Sequence, residues 1–303
     1  MLVDTSDGVR LAVHDLGGSD RALLWCHATG FHGRVWRALA RRLSDRHSWA
    51  LDFRGHGQST PPVSGHFGWD GFADDVLATV DALAAAGVDV DGISGAGHSK
   101  GGAALLLAEA RRPGTFGALW LYEPVVFPPD GARPAGDNPL AAGARARRRW
   151  FPSLEAAEAN FAGKPPMDAF DPEVRADYVR FGFRPAGATE VGPDDGARDA
   201  GREGSGSGVV LCCAPEHEAR VYEAGSRHGA WDVLGDVRCP VTVVRGRIGE
   251  AGPAHVAEAV AGRLPAGRLE VHDELGHFGP LEDPVTMAAS VEAALGEAGR
   301  SAA

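Results

Sequence analysis

Gly97-His98-Ser99-Lys100-Gly101-Gly102 stands between an apolar run, Ile93 to Ala96, and a helix-forming run, Ala103 to Ala110. A strand that turns straight into a helix around a serine strains the serine backbone, and Gly97 and Gly101 let the two elements pass closely. Such a turn holds Ser99 out at the C-terminal end of the strand. The helix that starts there has N–H groups without intrahelical partners and a partial positive charge, so the N–H of Lys100 is placed to receive an oxyanion. In a chain with 42 glycines a Gly-x-Ser-x-Gly string also arises by chance in loops, so the surrounding pattern decides its reading.

That pattern is an alternation of strands and helices. Leu2 to Asp4 and Val9 to His14 flank Asp7-Gly8 and suit an edge hairpin. Ala22 to Cys26 is continuous and apolar, as a parallel strand covered on both faces should be, and runs into His27-Ala28-Thr29-Gly30-Phe31. A helical pattern through Trp36, Leu39, Ala40 and Leu43 follows, then a strand from Ser48 to Leu51, then Asp52-Phe53-Arg54-Gly55-His56-Gly57-Gln58-Ser59. A helix from Phe72 to Ala86 leads to the strand before Ser99. Ala118 to Tyr122, Val241 to Arg245 and Leu269 to His272 read as further strands. The alternation implies crossover connections and a doubly wound, mostly parallel sheet.

Three segments, "HATGFHGRVW" at 27–36, "LDFRGHGQS" at 51–59 and "GHSKGG" at 97–102, together resemble the α/β-hydrolase superfamily. A fourth, "GHFGPLEDP" at 276–284, is similar to the segment that carries that superfamily's catalytic histidine. The resemblance implies the α/β-hydrolase fold, with Ser99 as nucleophile, His277 as general base, and the backbone N–H groups of Lys100 and Thr29 as oxyanion donors. His27-Ala28 stands where the superfamily usually has His-Gly. The resemblance also implies ester hydrolysis without metal or organic cofactor. Parts of the middle third, at 164–183 and 213–224, are similar to uncharacterised bacterial hydrolases and lipase-like relatives, which favours esters with an apolar portion. The serine disfavours epoxide and haloalkane chemistry, which uses an aspartyl nucleophile. A lyase, cyclase or acyltransferase on the same fold, or a ligand-binding scaffold with little turnover, are the rival readings.

The acid has two candidates. The superfamily often places an aspartate three residues beyond the glycine that follows the strand Val241 to Arg245, and here that position is Gly249, with Glu250 one residue late. Glu123 ends the earlier strand Ala118 to Tyr122, and both strand ends open onto one edge. What the histidine needs is an oriented imidazole, whatever the chain order of its partner, and that favours Glu123 over Glu250. His98 and His56 are expected to fix loop geometry.

From Phe127 to about Trp231 the alternation lapses, and this stretch is expected to be a mainly helical cap inserted between core segments 1–126 and 232–303. Trp150, Leu154, Phe161, Phe170, Tyr178, Phe181 and Phe183 are expected to form its own core, and Arg184 to Gly208 a loop. The basic run Arg145 to Arg149 is expected to serve as solvated surface or salt bridges. Lys100 has two expected fates: a cation for a substrate carboxylate, or, favoured, a side chain bent away to pair with a protein carboxylate.

Composition narrows the partners. A net charge of −11 over 303 residues repels phosphates and anionic lipid, so a small-molecule substrate is expected and neither nucleic acid nor membrane. No basic start, apolar leader or membrane-length run is present, and a cytoplasmic protein is expected. Cys26, Cys212, Cys213 and Cys239 lack metal-ligand spacing and are expected to be reduced thiols.

Overall fold

The computed structural model describes residues 1–131, 136, 138–187, 208–225, 228–249 and 252–301. The strands are β1 (Leu2–Asp4), β2 (Arg10–Asp15), β3 (Arg21–Cys26), β4 (Arg46–Asp52), β5 (Ile93–His98), β6 (Phe116–Tyr122), β7 (Trp150–Phe151), β8 (Phe183–Pro185), β9 (Val209–Leu211), β10 (Val241–Arg245) and β11 (Gly267–Val271). Eight of them form one sheet in the order β1-β2-β4-β3-β5-β6-β10-β11. The first two pairings, β1 with β2 and β2 with β4, are antiparallel, and every later one is parallel. The chain thus has the doubly wound, mostly parallel sheet that its alternating pattern implies.

The helices are α1 (Arg37–Ala40), α2 (Trp69–Ala85), α3 (Lys100–Arg111), α4 (Leu140–Arg145), α5 (Leu154–Ala162), α6 (Pro172–Gly182), α7 (Pro215–Glu223), α8 (Ala257–Arg263), α9 (Gly279–Glu282) and α10 (Pro284–Ser301). Successive residues of a strand point to opposite faces, and the core divides accordingly. Leu24 and Cys26 of β3 join Phe72, Val76 and Val80 of α2, Leu105 of α3 and Val260 of α8 on one side. Leu23 and Trp25 join Leu39 of α1 and Met287, Val291 and Leu295 of α10 on the other. Each such side chain contributes roughly 1.5–3 kcal/mol on burial. Trp120 of β6 donates its indole N–H to Ser290 Oγ of α10 at 2.8 Å, whereas the indole N–H of Trp25 meets no partner among the described residues.

The stretch 127–231 holds α4 to α7, as expected, and also a three-stranded antiparallel sheet in the order β7-β9-β8. Its strands have only two or three residues, too short for a period of two to show in the sequence. The expected loop from Arg184 to Gly208 begins inside β8, and its residues 188–207 lie outside the described ones. Phe161, Phe170, Tyr178 and Phe183 are buried, but in the same cluster as Trp25 and Trp120 of the sheet. They are therefore part of the main core, where a self-contained core was expected.

The loop after β4 is fastened by a buried ion pair. Arg54 donates through Nε and Nη2 to Asp75 of α2 at 2.6–3.1 Å, and its backbone N–H reaches the same carboxylate at 3.2 Å. Removing one partner leaves the other charge buried and unpaired. Arg54→Met is expected to cost about 3–5 kcal/mol in urea denaturation, and Arg54→Met with Asp75→Leu distinctly less; equal losses would show that an unpaired buried charge is not the source of the cost.

Candidate active site

Three strand ends build the site. Gly97 of β5 is in register with Cys26 of β3, and His98 with Tyr122 of β6, so Ser99 and Glu123 emerge side by side from adjacent parallel strands. Both have left-handed backbones, Ser99 at φ +54° and Glu123 at φ +43°. Neither is glycine, and each such conformation costs on the order of 1–3 kcal/mol. At Ser99 the cost follows from the turn of β5 into α3, which begins at the next residue. A Cβ on Gly101 would overlap the Cys26 carbonyl, and one on Gly97 would lie 2.7 Å from the Gly102 nitrogen. Only glycine allows the start of α3 to press against the end of β3. Lys100 is the first residue of α3, so its N–H has no intrahelical partner, and the half-buried Thr29 lies three residues beyond Cys26.

Glu123 is 2 % exposed and has a defined job for each oxygen. Oε1 accepts the Gly246 N–H at 2.9 Å, and Oε2 accepts from His277 Nδ1 at 2.6 Å. The carboxylate accepts only, so Nδ1 bears the proton and Nε2 is left as the basic nitrogen. The loop carrying His277 is held by two further strand-end residues. His98 donates from Nε2 to the His277 carbonyl at 2.8 Å, and Tyr122 donates its hydroxyl to the Gly276 carbonyl at 2.7 Å. Burial pushes the His98 pKa well below the usual histidine value, so that ring stays a neutral anchor. Its centroid lies 5.0 Å from that of His277. Tyr122 has no signal in the sequence beyond its place at a strand end, and His98 has only its place in the elbow.

The loop after β3 is fixed from beneath. His27 Nε2 accepts the Phe53 N–H at 3.0 Å while Nδ1 donates to the Ala28 carbonyl at 2.7 Å, which sets its tautomer. Burial holds His27 and His56 neutral, and His56 Nδ1 bonds the Arg54 carbonyl at 2.9 Å, a loop-fixing role. Beside His277 stands an aromatic wall: Phe278 lies 5.8 Å from Phe31 and 5.5 Å from Phe170, ring to ring. Glu250 lies outside the described residues.

A profile of the alpha/beta hydrolase family matches residues 23–290, most of the chain. The chain belongs to the alpha/beta hydrolase family. Human monoglyceride lipase is 36% identical over 115 residues, a stretch covering 36% of this chain and 37% of the lipase. Among solved structures, an E-2-(acetamidomethylene)succinate hydrolase superposes with a TM-score of 0.72 at 20% identity, covering 97% of this chain and 99% of that one. A thermophilic esterase from Thermogutta terrifontis gives 0.65 at 20% identity over 98% of each chain. At such identities the structural likeness is one of fold, and the family match supports a hydrolase.

Within this hydrolase fold, Lys100 meets neither of its expected fates. Its side chain turns into the protein, 1 % exposed, with Nζ 4.2 Å from the Phe53 ring centre and 4.7 Å from that of Phe72. Among the described residues no hydrogen-bond partner reaches Nζ. Four methylenes carry the amine to these rings, where Asp75 acts on it through space without a hydrogen bond. Two ring faces offset part of the desolvation. The four cysteines are free, with Cys26, Cys213 and Cys239 buried. Arg145 pairs with Glu216 and Glu223, the salt bridges expected of the basic run, whereas Arg147 is drawn inside to Glu218 and Tyr178.

Burial pushes the Lys100 pKa down to about 7. The unfolded chain therefore binds more protons than the folded one between about pH 7 and 10, and stability rises with pH across that window. Lys100→Met is expected to stabilise the fold most at or below pH 7, by about 2–4 kcal/mol, with the gain shrinking towards pH 10. Thermal melts at pH 6.5 and 10 read this directly, and a gain independent of pH would contradict it.

Proposed function

We propose that the protein is a serine hydrolase cleaving esters of a small, partly apolar carboxylic substrate through an acyl-enzyme. The observation that carries this reading is the buried Glu123 carboxylate bonded at 2.6 Å to His277 Nδ1 on the same sheet edge as the strained Ser99. In this reading Glu123 orients the imidazole and stabilises its charged form, and His277 Nε2 takes the Ser99 proton as Oγ attacks the carbonyl carbon. The carbonyl oxygen becomes an oxyanion facing the N–H groups of Lys100 and Thr29. Collapse breaks the ester bond, and His277 returns the proton to the departing alcohol. Water then repeats the sequence on the acyl-enzyme and releases the acid. Fixed donors and the fixed imidazole cost no reorganisation at the moment of reaction, which is where the rate advantage lies.

The residues from 127 to 231 act in this reading as a cap that supplies one wall of the substrate site. The aromatic rings of Phe31, Phe170 and Phe278 beside His277 suit an apolar acyl or alcohol group. The names of the human lipase and the Thermogutta esterase agree with carboxylic ester chemistry.

Ser99→Ala is expected to abolish hydrolysis of short p-nitrophenyl esters with the fold intact by circular dichroism, since nucleophile and base act as a unit. A fluorophosphonate should label the wild type at Ser99. Activity of the alanine variant near wild type would end the acyl-enzyme reading. Glu123→Gln keeps the volume but loses the charge, and kcat is expected to fall by about 10²- to 10⁴-fold. A silent substitution there would leave the histidine oriented by some other group.

A further inference from the structure

The loop from His27 to Gly33 is gripped from two sides. Below, His27 and the bond from Gly33 N–H to Asp52 Oδ1 at 2.6 Å tie it to the core. Above, Phe31 meets Phe278, and residues between β6 and β10 supply further contacts. His32 Nε2 donates to the Tyr178 carbonyl at 3.1 Å, its ring stacks on the Tyr178 ring, and Phe31 meets the same ring edge-on at 5.3 Å. Gly30, the residue after Thr29, has φ +82°. A Cβ built on it would lie 2.7 Å from Glu218 Oε1, 3.0 Å from Glu218 Cδ and 3.2 Å from Arg147 Nη1.

Glu218 is itself immobilised. Arg147 donates from Nη1 to Glu218 Oε2 and from Nη2 to the Tyr178 hydroxyl at 2.6 Å. Glu218 and Tyr178 are buried, and the Arg147 side chain is 24 % exposed. These three residues come from α7, α6 and the turn after α4, so the cluster joins three parts of the insertion over one glycine. Burying an ion pair in this way is a poor device for stability alone. A fixed ionic cluster does, however, define position sharply, and the group it rests on adjoins a proposed oxyanion donor.

We propose that Glu218, gripped by Arg147 and Tyr178, is the positioning residue of the oxyanion loop: its carboxylate is the seat on which Gly30 rests, and through Gly30 it aims the Thr29 N–H. This inference rests on the serine hydrolase reading and adds that the oxyanion hole is complete only while the insertion is seated. A displaced donor weakens transition-state stabilisation more than substrate binding, because the charge it meets exists only in the transition state. The signature is therefore a fall in kcat at constant KM.

The test compares Glu218→Gln, Tyr178→Phe and Arg145→Gln in the full chain on a p-nitrophenyl ester, with a trifluoromethyl ketone as a probe whose serine adduct places an oxyanion in the hole. Glu218→Gln is expected to lower kcat by about 10- to 100-fold and Tyr178→Phe by about 3- to 10-fold, both with KM nearly unchanged. Affinity for the ketone should fall in proportion to kcat. Arg145→Gln, which breaks exposed ion pairs at the same α4–α7 contact, should change neither. If Glu218→Gln fails to fold, Tyr178→Phe decides, since it removes one hydroxyl. Folded variants with kcat within about twofold of wild type, or a rise in KM at constant kcat, would overturn the positioning role. Ser99→Ala run alongside keeps the two readings apart: an active alanine variant ends the acyl-enzyme, while an inactive one with silent Glu218 and Tyr178 variants ends only this inference.

Discussion

A chain that leaves β5 and enters α3 through a single connecting residue must place that amino acid in a backbone region that side chains avoid. Ser99 occupies it, and the rest of the architecture serves to keep it there. Ser99 N–H donates to the Tyr122 carbonyl at 2.9 Å, and the Ser99 carbonyl accepts from Val125 at 3.2 Å, so the turn is bonded to β6 and to the chain just beyond. Close passage of α3 over Cys26 is possible only with glycine at 101. The strain of one turn is thereby offset by packing drawn from three strands, which is how a compact site can hold conformations that a short peptide would not adopt.

The same economy governs the polar groups. Glu123, His98 and Tyr122 are each buried or nearly so, and each spends its hydrogen bonds on the segment from Gly246 or on the loop around His277. Lys100 is the exception, an amine lodged against two phenyl rings with nothing among the described residues to accept its protons. It bears a desolvation cost that Glu123 and Tyr122 avoid through their hydrogen bonds, and it does so at the residue that follows Ser99.

Much of this could be read from the residues alone, for physical reasons that also mark the boundary of such reading. Buried parallel strands are short apolar runs closed by glycine-rich turns, and those stand out: β3, β5, β6 and β10 fall within a residue or two of their expected places. The helix α3 starts at Lys100, directly after the serine as the turn implies, although the helix-forming run itself begins only at Ala103 beyond two glycines of low propensity. The pairing of Glu123 with His277 joins residues 154 apart, and its legibility comes from the fact that parallel strand ends share an edge. The strands β7 to β9 were hidden by their brevity. Arg147 and Glu218 offered a weaker trace: Arg145 and Arg147 share the spacing of Glu216 and Glu218, a charge complementarity between segments that periodicity cannot register. The direction of the Lys100 side chain has no trace at all, since it depends on which side of the sheet its helix begins.

The carboxylate bonded to His277 is mounted on β6, and this changes what the connection after β10 is required to do. Its contribution to the histidine's partner is a single N–H, that of Gly246, at the very start of the connection. Past that residue, among the described residues on the route to α8, no side chain is bonded to the His277 ring. In the proposed reading the described residues of that connection carry no part of the acid's work, which makes them a natural place for grafted sequence or a foreign tag. A fold with the acid in that loop would have to conserve it.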